Sequence, residues 1–282
     1  MKYKNNITWL ASYPKSGNTW IRIWLENLIS DGNEPVHINS LKNSLLASNR
    51  NDFDELTGLN SSELSQSEIN ELRPQVYRKL SEDTEHELYI KIHDAFQYVN
   101  RDNPLIPPEV SKYVIYIIRN PLDLVISFSS HMGCNLDKAI ELMNNNDFIL
   151  SKGSKKYPFQ LEQHLFSWSK HVKSWTEQKA IDTLVLRYED LLENPHSNFK
   201  NVIQKIGLPY DDRQVDKAIR FSDFNTLQKQ ESMHGFKEKS PNSDVFFRHG
   251  KSGYWSNILN NKQVNRIINN HGEVMEKFGY KF

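Results

Sequence analysis

Apolar runs and helical periodicities take turns along this chain. Ile7 to Ser12 is a short run of strand type. After Tyr13 and Pro14 the spacing changes, and Ile21, Trp24, Leu25 and Leu28 fall on one side of a helix expected over about Thr19 to Ser30, with Asp31-Gly32 as its stop. Leu88 to His93 alternates: Leu88, Ile90 and Ile92 share one face, and Tyr89, Lys91 and His93 share the other. Lys91 and His93 therefore stand together at the carboxyl end of a strand, where open α/β sheets bind ligands. Tyr113 to Ile118 is continuously apolar, as a parallel strand covered on both faces must be, and Asn120 and Pro121 then cap and open a helix. Leu161, Leu165, Trp168, Val172 and Trp175 recur at four and three, which predicts an amphipathic helix over Phe159 to Lys179. A further strand, Thr183 to Arg187, precedes Tyr188-Glu189-Asp190. The helix opening at Pro195 stops at Gly207-Leu208-Pro209, and a last helix spans about Asn261 to Phe278.

Two segments break the alternation. Leu41 to Glu87 is polar, carries the capping pattern Ser65-x-x-Glu68, and has Pro74 placed to start a further short helix; it reads as a helical excursion over the sheet edge. Ser232 to Asn257 has no sustained period, and a loop that long in a compact domain is usually functional or disordered. Without repeats or a low-complexity linker, residues 1–282 read as one domain: α/β, with a central, mostly parallel sheet flanked by helices.

Charge adds little globally, since Lys plus Arg and Asp plus Glu both number 35. That balance argues against nucleic acid or an anionic membrane as partner, and any anion site must be local. The single cysteine, Cys134, cannot form an intramolecular disulfide and fits a reducing compartment. The N-terminus offers only about five apolar-leaning residues, too few for a signal peptide, and no run approaches the ~20 residues of a membrane span. The expectation is a soluble, cytoplasmic protein. With no H-E-x-x-H and no cysteine pair, no metal is expected, and His164 and His171 read as a solvated stripe of one helix.

The local anion site is found at Trp9 to Trp20, W-L-A-S-Y-P-K-S-G-N-T-W, where a strand runs through a turn into a helix. Unpaired N–H groups of a helix's first turn converge on one point and favour an anion there, aided by the helix dipole. Gly17 lets the backbone approach closely, Lys15 adds a full charge, and Ser16, Asn18 and Thr19 add donors or acceptors. A plain corner capped by Asn18 or Thr19 remains open on these residue types alone. The kinase pattern G-x-x-x-x-G-K-[ST] does not fit, because Trp9 and Pro14 stand where it needs glycines.

Y-P-K-S-G-N-T-W resembles the 5′-phosphosulfate loop of the cytosolic-type sulfotransferases, which use 3′-phosphoadenosine 5′-phosphosulfate (PAPS) and release 3′,5′-diphosphoadenosine (PAP). The resemblance implies a P-loop-NTPase-like core, with Lys15 on the phosphosulfate and Trp20 on the adenine. Lys91-x-His93 is similar to the family's K-T-H segment, whose histidine is the general base; Lys91 would then steady the transferring group or the acceptor. Arg119 and Ser127, in R-N-P-L-D-L-V-I-S, match the arginine and serine that hold the 3′-phosphate, and Ser127 would also hold Lys15 back until acceptor arrives. An Arg119–Asp123 ion pair is the alternative there. Tyr188, in Y-E-D-L, matches a tyrosine near the adenine, and Phe221 to Phe224 would line that side. Arg248, His249 and Gly250 open a segment similar to the lid R-K-G-x-x-G-D-W-K-N, with His249 and Tyr254 departing from lysine and aspartate. The C-terminal dimer motif K-x-x-x-T-V-x-x-x-E is not recognisable, which leaves a homodimer without its usual route.

The implied activity is sulfuryl transfer from PAPS to a hydroxyl of a small-molecule acceptor, with no metal. A nucleoside or nucleotide kinase would need a metal-binding carboxylate, and a non-catalytic nucleotide-binding protein would have no use for His93. Acceptor walls are expected from Leu41 to Glu87, from His131 to Tyr157 and from the 232–247 loop; Phe96, Tyr98, Phe128 and Phe148 suit either a small ring or core packing.

Overall fold

The longest apolar run, Tyr113 to Ile118, forms an interior strand of the sheet with a neighbour on either side, as burial on both faces requires. The structure, a computed structural model, describes residues 4–152 and 159–282. In chain order the strands are β1 (Ile7–Ser12), β2 (Ser44–Leu46), β3 (Leu88–Ile92), β4 (Tyr98–Asn100), β5 (Asn103–Pro104), β6 (Ser111–Ile118), β7 (Ile149–Leu150), β8 (Gln163–His164) and β9 (Thr183–Arg187). The α-helices are α1 (Asn18–Ser30), α2 (Arg50–Thr57), α3 (Gln66–Asp83), α4 (Pro121–Met132), α5 (Leu136–Asn144), α6 (Trp168–Glu177), α7 (Tyr188–Glu193), α8 (Pro195–Ile206), α9 (Asp212–Phe221), α10 (Phe224–His234) and α11 (Asn261–Lys277).

The main sheet has the order β2-β3-β1-β6-β9, and each of its pairings is parallel. Alternation along β6 divides the core: Val114, Tyr116 and Ile118 enter one hydrophobic cluster, and Ile115 and Ile117 enter the other, with α1, α8 and α9. Because the strands are parallel, Tyr13, His93, Arg119 and Tyr188 all follow strand ends on one edge of the sheet. Among the described residues no helix is long and apolar enough to cross a membrane.

Four expectations need correction. The excursion between α1 and β3 contains a strand, β2, which three residues between turns could not announce. Pro74 lies inside α3 rather than opening a new helix; the capping box of Ser65 and Glu68 starts α3 well before it. The amphipathic helix begins at Trp168, not Phe159, because Phe166 has a left-handed φ of 58° and Ser167 caps α6 through Lys170 N. Leu161 and Leu165 are buried nonetheless, so their periodicity reported burial, not helix. His171 is buried, on the stripe of Trp168, Val172 and Trp175, while His164 belongs to β8. Of the anticipated acceptor walls, residues 153–157 lie outside the described residues.

Just beyond β3, the Asp94 carboxylate accepts from Arg73 Nη1 (3.1 Å) and Nη2 (2.6 Å) and from His164 N (3.1 Å), and Trp175 Nε1 donates to its carbonyl (3.0 Å). This ion pair is fully buried. Breaking such a pair leaves a lone buried charge, so Arg73→Leu is expected to lower the unfolding free energy by about 3 kcal/mol or more, read by chemical denaturation.

Candidate active site

From β1 the chain turns through two left-handed residues, Lys15 (φ 72°) and Gly17 (φ 107°), into α1. Gly17 is required twice over: by its φ, and because a Cβ there would stand 2.6 Å from the Tyr188 ring. Among the described residues no side chain caps α1, and its first turn holds no acidic residue. Its leading N–H groups and positive dipole end are thus available to an anion, and Ser16 Oγ is buried beside them with no hydrogen-bond partner among the described residues. Asn18 has a structural task, since its amide donates to Leu10 O (2.8 Å) and Ser12 Oγ (3.2 Å) and pins the turn to β1. Thr19 is buried in the first helical turn, and Trp20 packs edge-on to Tyr188 and Phe199. The Lys15 ammonium lies 3.6 Å from the centre of the Phe246 ring. Burial, then the charges of Lys91 and Arg119, push its pKa down to about 7.

Arg119, at the end of β6, joins the turn to the lid. Its Nη1 donates to Lys15 O (3.1 Å), its Nη2 to Lys251 O (3.3 Å), and the guanidinium lies 4.4 Å from the Tyr188 ring centre; Nε is buried without a partner among the described residues. The alternative of an Arg119–Asp123 pair is not what forms. Asp123 instead accepts from Gly253 N (2.7 Å) and Trp255 N (2.9 Å), fastening the lid to α4. Gly250 packs so closely on Phe224 that a Cβ would meet its ring at 2.3 Å, which puts the 221–224 segment under the lid. The His249 ring lies 4.4 Å from that of Tyr254. Its pKa is lowered by burial and then by Arg248, Arg119 and Lys251, a cluster of cations that suits an anion. Ser127 is half-buried on α4, and among the described residues no hydrogen bond joins it to Lys15.

Just past β3, His93 Nδ1 donates to Ser12 O at 2.8 Å, so the neutral ring keeps its Nε2 lone pair free to accept a proton. Burial, followed by the charge of Lys91, holds the pKa well below the usual histidine value, and the ring is neutral at pH 7. Sequence reasoning missed the support behind it: His171 Nε2 donates to His93 O (3.0 Å), while Tyr116 Oη donates to His171 Nδ1 (2.9 Å). The signal was available, because His171 falls three residues after Trp168 and four before Trp175 on a buried stripe. Lys91 is also partnered, by Glu238 at 3.0 Å, which nothing in the 232–247 pattern announced. Three of the four aromatic candidates belong to the core, with Phe128 fully buried against Tyr13 and Phe148 and Phe96 packed on Trp175, whereas Tyr98 is exposed.

The sequence profile of the sulfotransferase domain matches residues 6–279. Sulfotransferase 1A1 of Canis lupus familiaris is 25% identical over an alignment covering 97% of this chain and 84% of that protein. Flavonol 3-sulfotransferase of Flaveria bidentis is 24% identical, covering 93% and 79%. Sulfotransferase 1A1 of Rattus norvegicus is 28% identical, but the match spans only 60% of this chain and 57% of the rat protein. Among solved structures, mouse sulfotransferase SULT7A1 complexed with PAP superposes with a TM-score of 0.59 at 21% identity, covering 98% of this chain and 86% of that one. Retinol dehydratase in complex with androsterone and PAP gives 0.64 at 16%, covering 99% and 83%.

Asp123 is the clearest test of the lid's attachment. Asp123→Ala removes the acceptor for two amides, and hydrogen exchange at Gly253 and Trp255 is expected to quicken by about tenfold, the equivalent of roughly 1.4 kcal/mol for hydrogen bonds to a charged group.

Proposed function

We propose, for a chain that belongs to the sulfotransferase domain family, that it transfers a sulfuryl group from PAPS to a hydroxyl of a small-molecule acceptor, giving a sulfate ester and PAP. The observation that carries this reading is the pairing of an uncapped α1 N-terminus beside Lys15 with a neutral His93 whose Nδ1 is committed and whose Nε2 is free.

In the reaction the acceptor oxygen attacks sulfur as the bond from sulfur to the 5′-phosphate oxygen breaks. His93 Nε2 takes the acceptor's proton, and Lys15 with the α1 N–H groups neutralises charge building on the leaving phosphate. Lys91 contributes positive charge next to His93. Ser16, Gly17, Asn18, Thr19 and Trp20 form the 5′ side of the cofactor site, with Tyr188 toward the adenine. Arg119, Ser127, Arg248, His249 and Gly250 serve the 3′-phosphate; the unpartnered Nε of Arg119 and the cations around His249 support that role. Fixed cations supply the charge, so no metal takes part.

Incubation with labelled PAPS and a panel of phenols, alcohols, amines and sugars, in EDTA, tests the reading. Label is expected on a hydroxyl acceptor, and an absolute need for Mg²⁺ would return the chain to the kinase reading. His93→Ala should retain PAP affinity and lose about 10²–10⁴-fold in kcat.

Affinity for PAP should depend on pH with a definite sign. A bound anion favours protonated Lys15, whose pKa in the free protein is about 7, so affinity is highest below that value and falls as pH rises through it. His249, lowered from the usual histidine value, adds a second fall that begins below about pH 6.5. Calorimetry should therefore find proton uptake on binding, reduced separately in Lys15→Arg and His249→Lys; unchanged uptake in His249→Lys would mean that His249 points away from the phosphate.

A further inference from the structure

Among the contacts that hold the segment between α10 and the lid, three bear on the active site. Glu231 accepts from Phe246 N (2.7 Å) and Phe247 N (2.8 Å). Ser240 Oγ donates to His131 O (2.8 Å), and Ser243 and Ser130 hydroxyls meet at 3.1 Å, which seats the loop on the end of α4. The third contact is ionic: the Glu238 carboxylate takes Arg22 Nη1 on both oxygens (2.7 and 2.9 Å) and Lys91 Nζ at 3.0 Å. Arg22 is itself buried on α1 and donates Nε to Ser44 Oγ on β2 (3.0 Å), so the carboxylate is anchored to the scaffold, not to a mobile side chain.

We propose that Glu238 is a positioning residue for the transfer reaction: it holds Lys91 in place and charged beside His93, so that docking of the 235–247 loop completes the cationic set of the active site. The proposal rests on the sulfuryl-transfer reading, because that reading gives Lys91 its task.

Among the described residues, the groups around Lys91 are Lys15 from the turn, Arg22 from α1, His93 just past β3, His131 from the last turn of α4 and Glu238 from the loop. His131, pushed down to about 4 by burial and then by Lys15 and Lys91, is neutral at pH 7, as is His93. Of these five groups only Glu238 is an anion. Burial lowers the pKa of Lys91, Glu238 raises it, and Arg22 lowers it. Burial opposes ionisation of Glu238 too, but the charges of Lys91 and Arg22 outweigh it and hold the carboxyl at about 2. Without Glu238, a Lys91 side chain only 14% exposed would face cations and neutral rings alone, and loss of its proton would relieve that cost. The positive charge beside His93 would go with it.

The test reads Lys91 directly, through its ammonium resonance in lysine-labelled protein assigned with Lys91→Arg. In E238Q, which keeps size and loses charge, the Lys91 pKa is expected to fall by about one unit or more. E238D, with the charge on a shorter reach, should fall between E238Q and wild type, and it serves if E238Q does not fold. The alkaline limb of the kcat profile should move down with the titration, while affinity for PAP, which lacks the sulfuryl group, stays within about twofold. A Lys91 that titrates in both variants where it does in the wild type would overturn the proposal. Because the titration needs no turnover, that result is distinguishable from a failure of PAPS transfer itself.

Discussion

The structure depends first on the parallel pairing of β3, β1, β6 and β9. Parallel strands need long crossovers, and those crossovers carry α1, α4 and the polar excursion onto the two faces. In return, each strand's carboxyl end opens on the same edge. Lys15, His93, Arg119 and Tyr188 lie far apart in the chain and reach one place because the register brings Leu10 beside Lys91 and Ser12 beside Ile117. Shifting β3 by one residue would send Lys91 and His93 to the opposite face of the sheet, among apolar side chains.

Electrostatics explains why the elements outside the sheet are as they are. Lys15, Lys91, Arg22 and Arg119 are brought close with limited water, and each raises the cost of the next. The protein offsets this with carboxylates in specific places: half-buried Glu238 on Lys91 and Arg22, and buried Glu189, which receives Asn120 N and Tyr280 Oη and steadies the turn after Arg119. Among the described residues no side chain caps the α1 N-terminus, the cations around Lys15 and its burial outweigh the one carboxylate acting on it, Glu231, and cations gather around His249. Those are the two places where a diphosphorylated nucleotide would bring its own charge.

Much of this was legible in the sequence, and for a physical reason. Long apolar runs and capping residues act locally, so β1, β3, β6, β9 and the helices from Pro195 and Asn261 sit where pattern puts them. Chemistry next to a strand end was legible too, since Lys91 and His93 share a face by period two. Hidden were features made by contacts distant in sequence. Glu238 meets Arg22 across 216 positions, and His171 meets Tyr116 across 55. The short β2 gains its stability from pairing with β3 and has no pattern of its own. The false start of the helix at Phe159 has the same origin, because burial of Leu161 and Leu165 against the core mimics a helical stripe.

One molecule carrying phosphate at both ends of its ribose would satisfy both cationic places. Calorimetric titration of the wild type and Arg119→Ala with PAP and with 5′-AMP, which lacks the 3′-phosphate, tests this most directly. The wild type is expected to prefer PAP by at least about tenfold, equivalent to roughly 1.4 kcal/mol, and Arg119→Ala to lose that preference while still binding the 5′-phosphate. A wild type that binds the two ligands equally, or a variant that keeps the full preference for PAP, would contradict it.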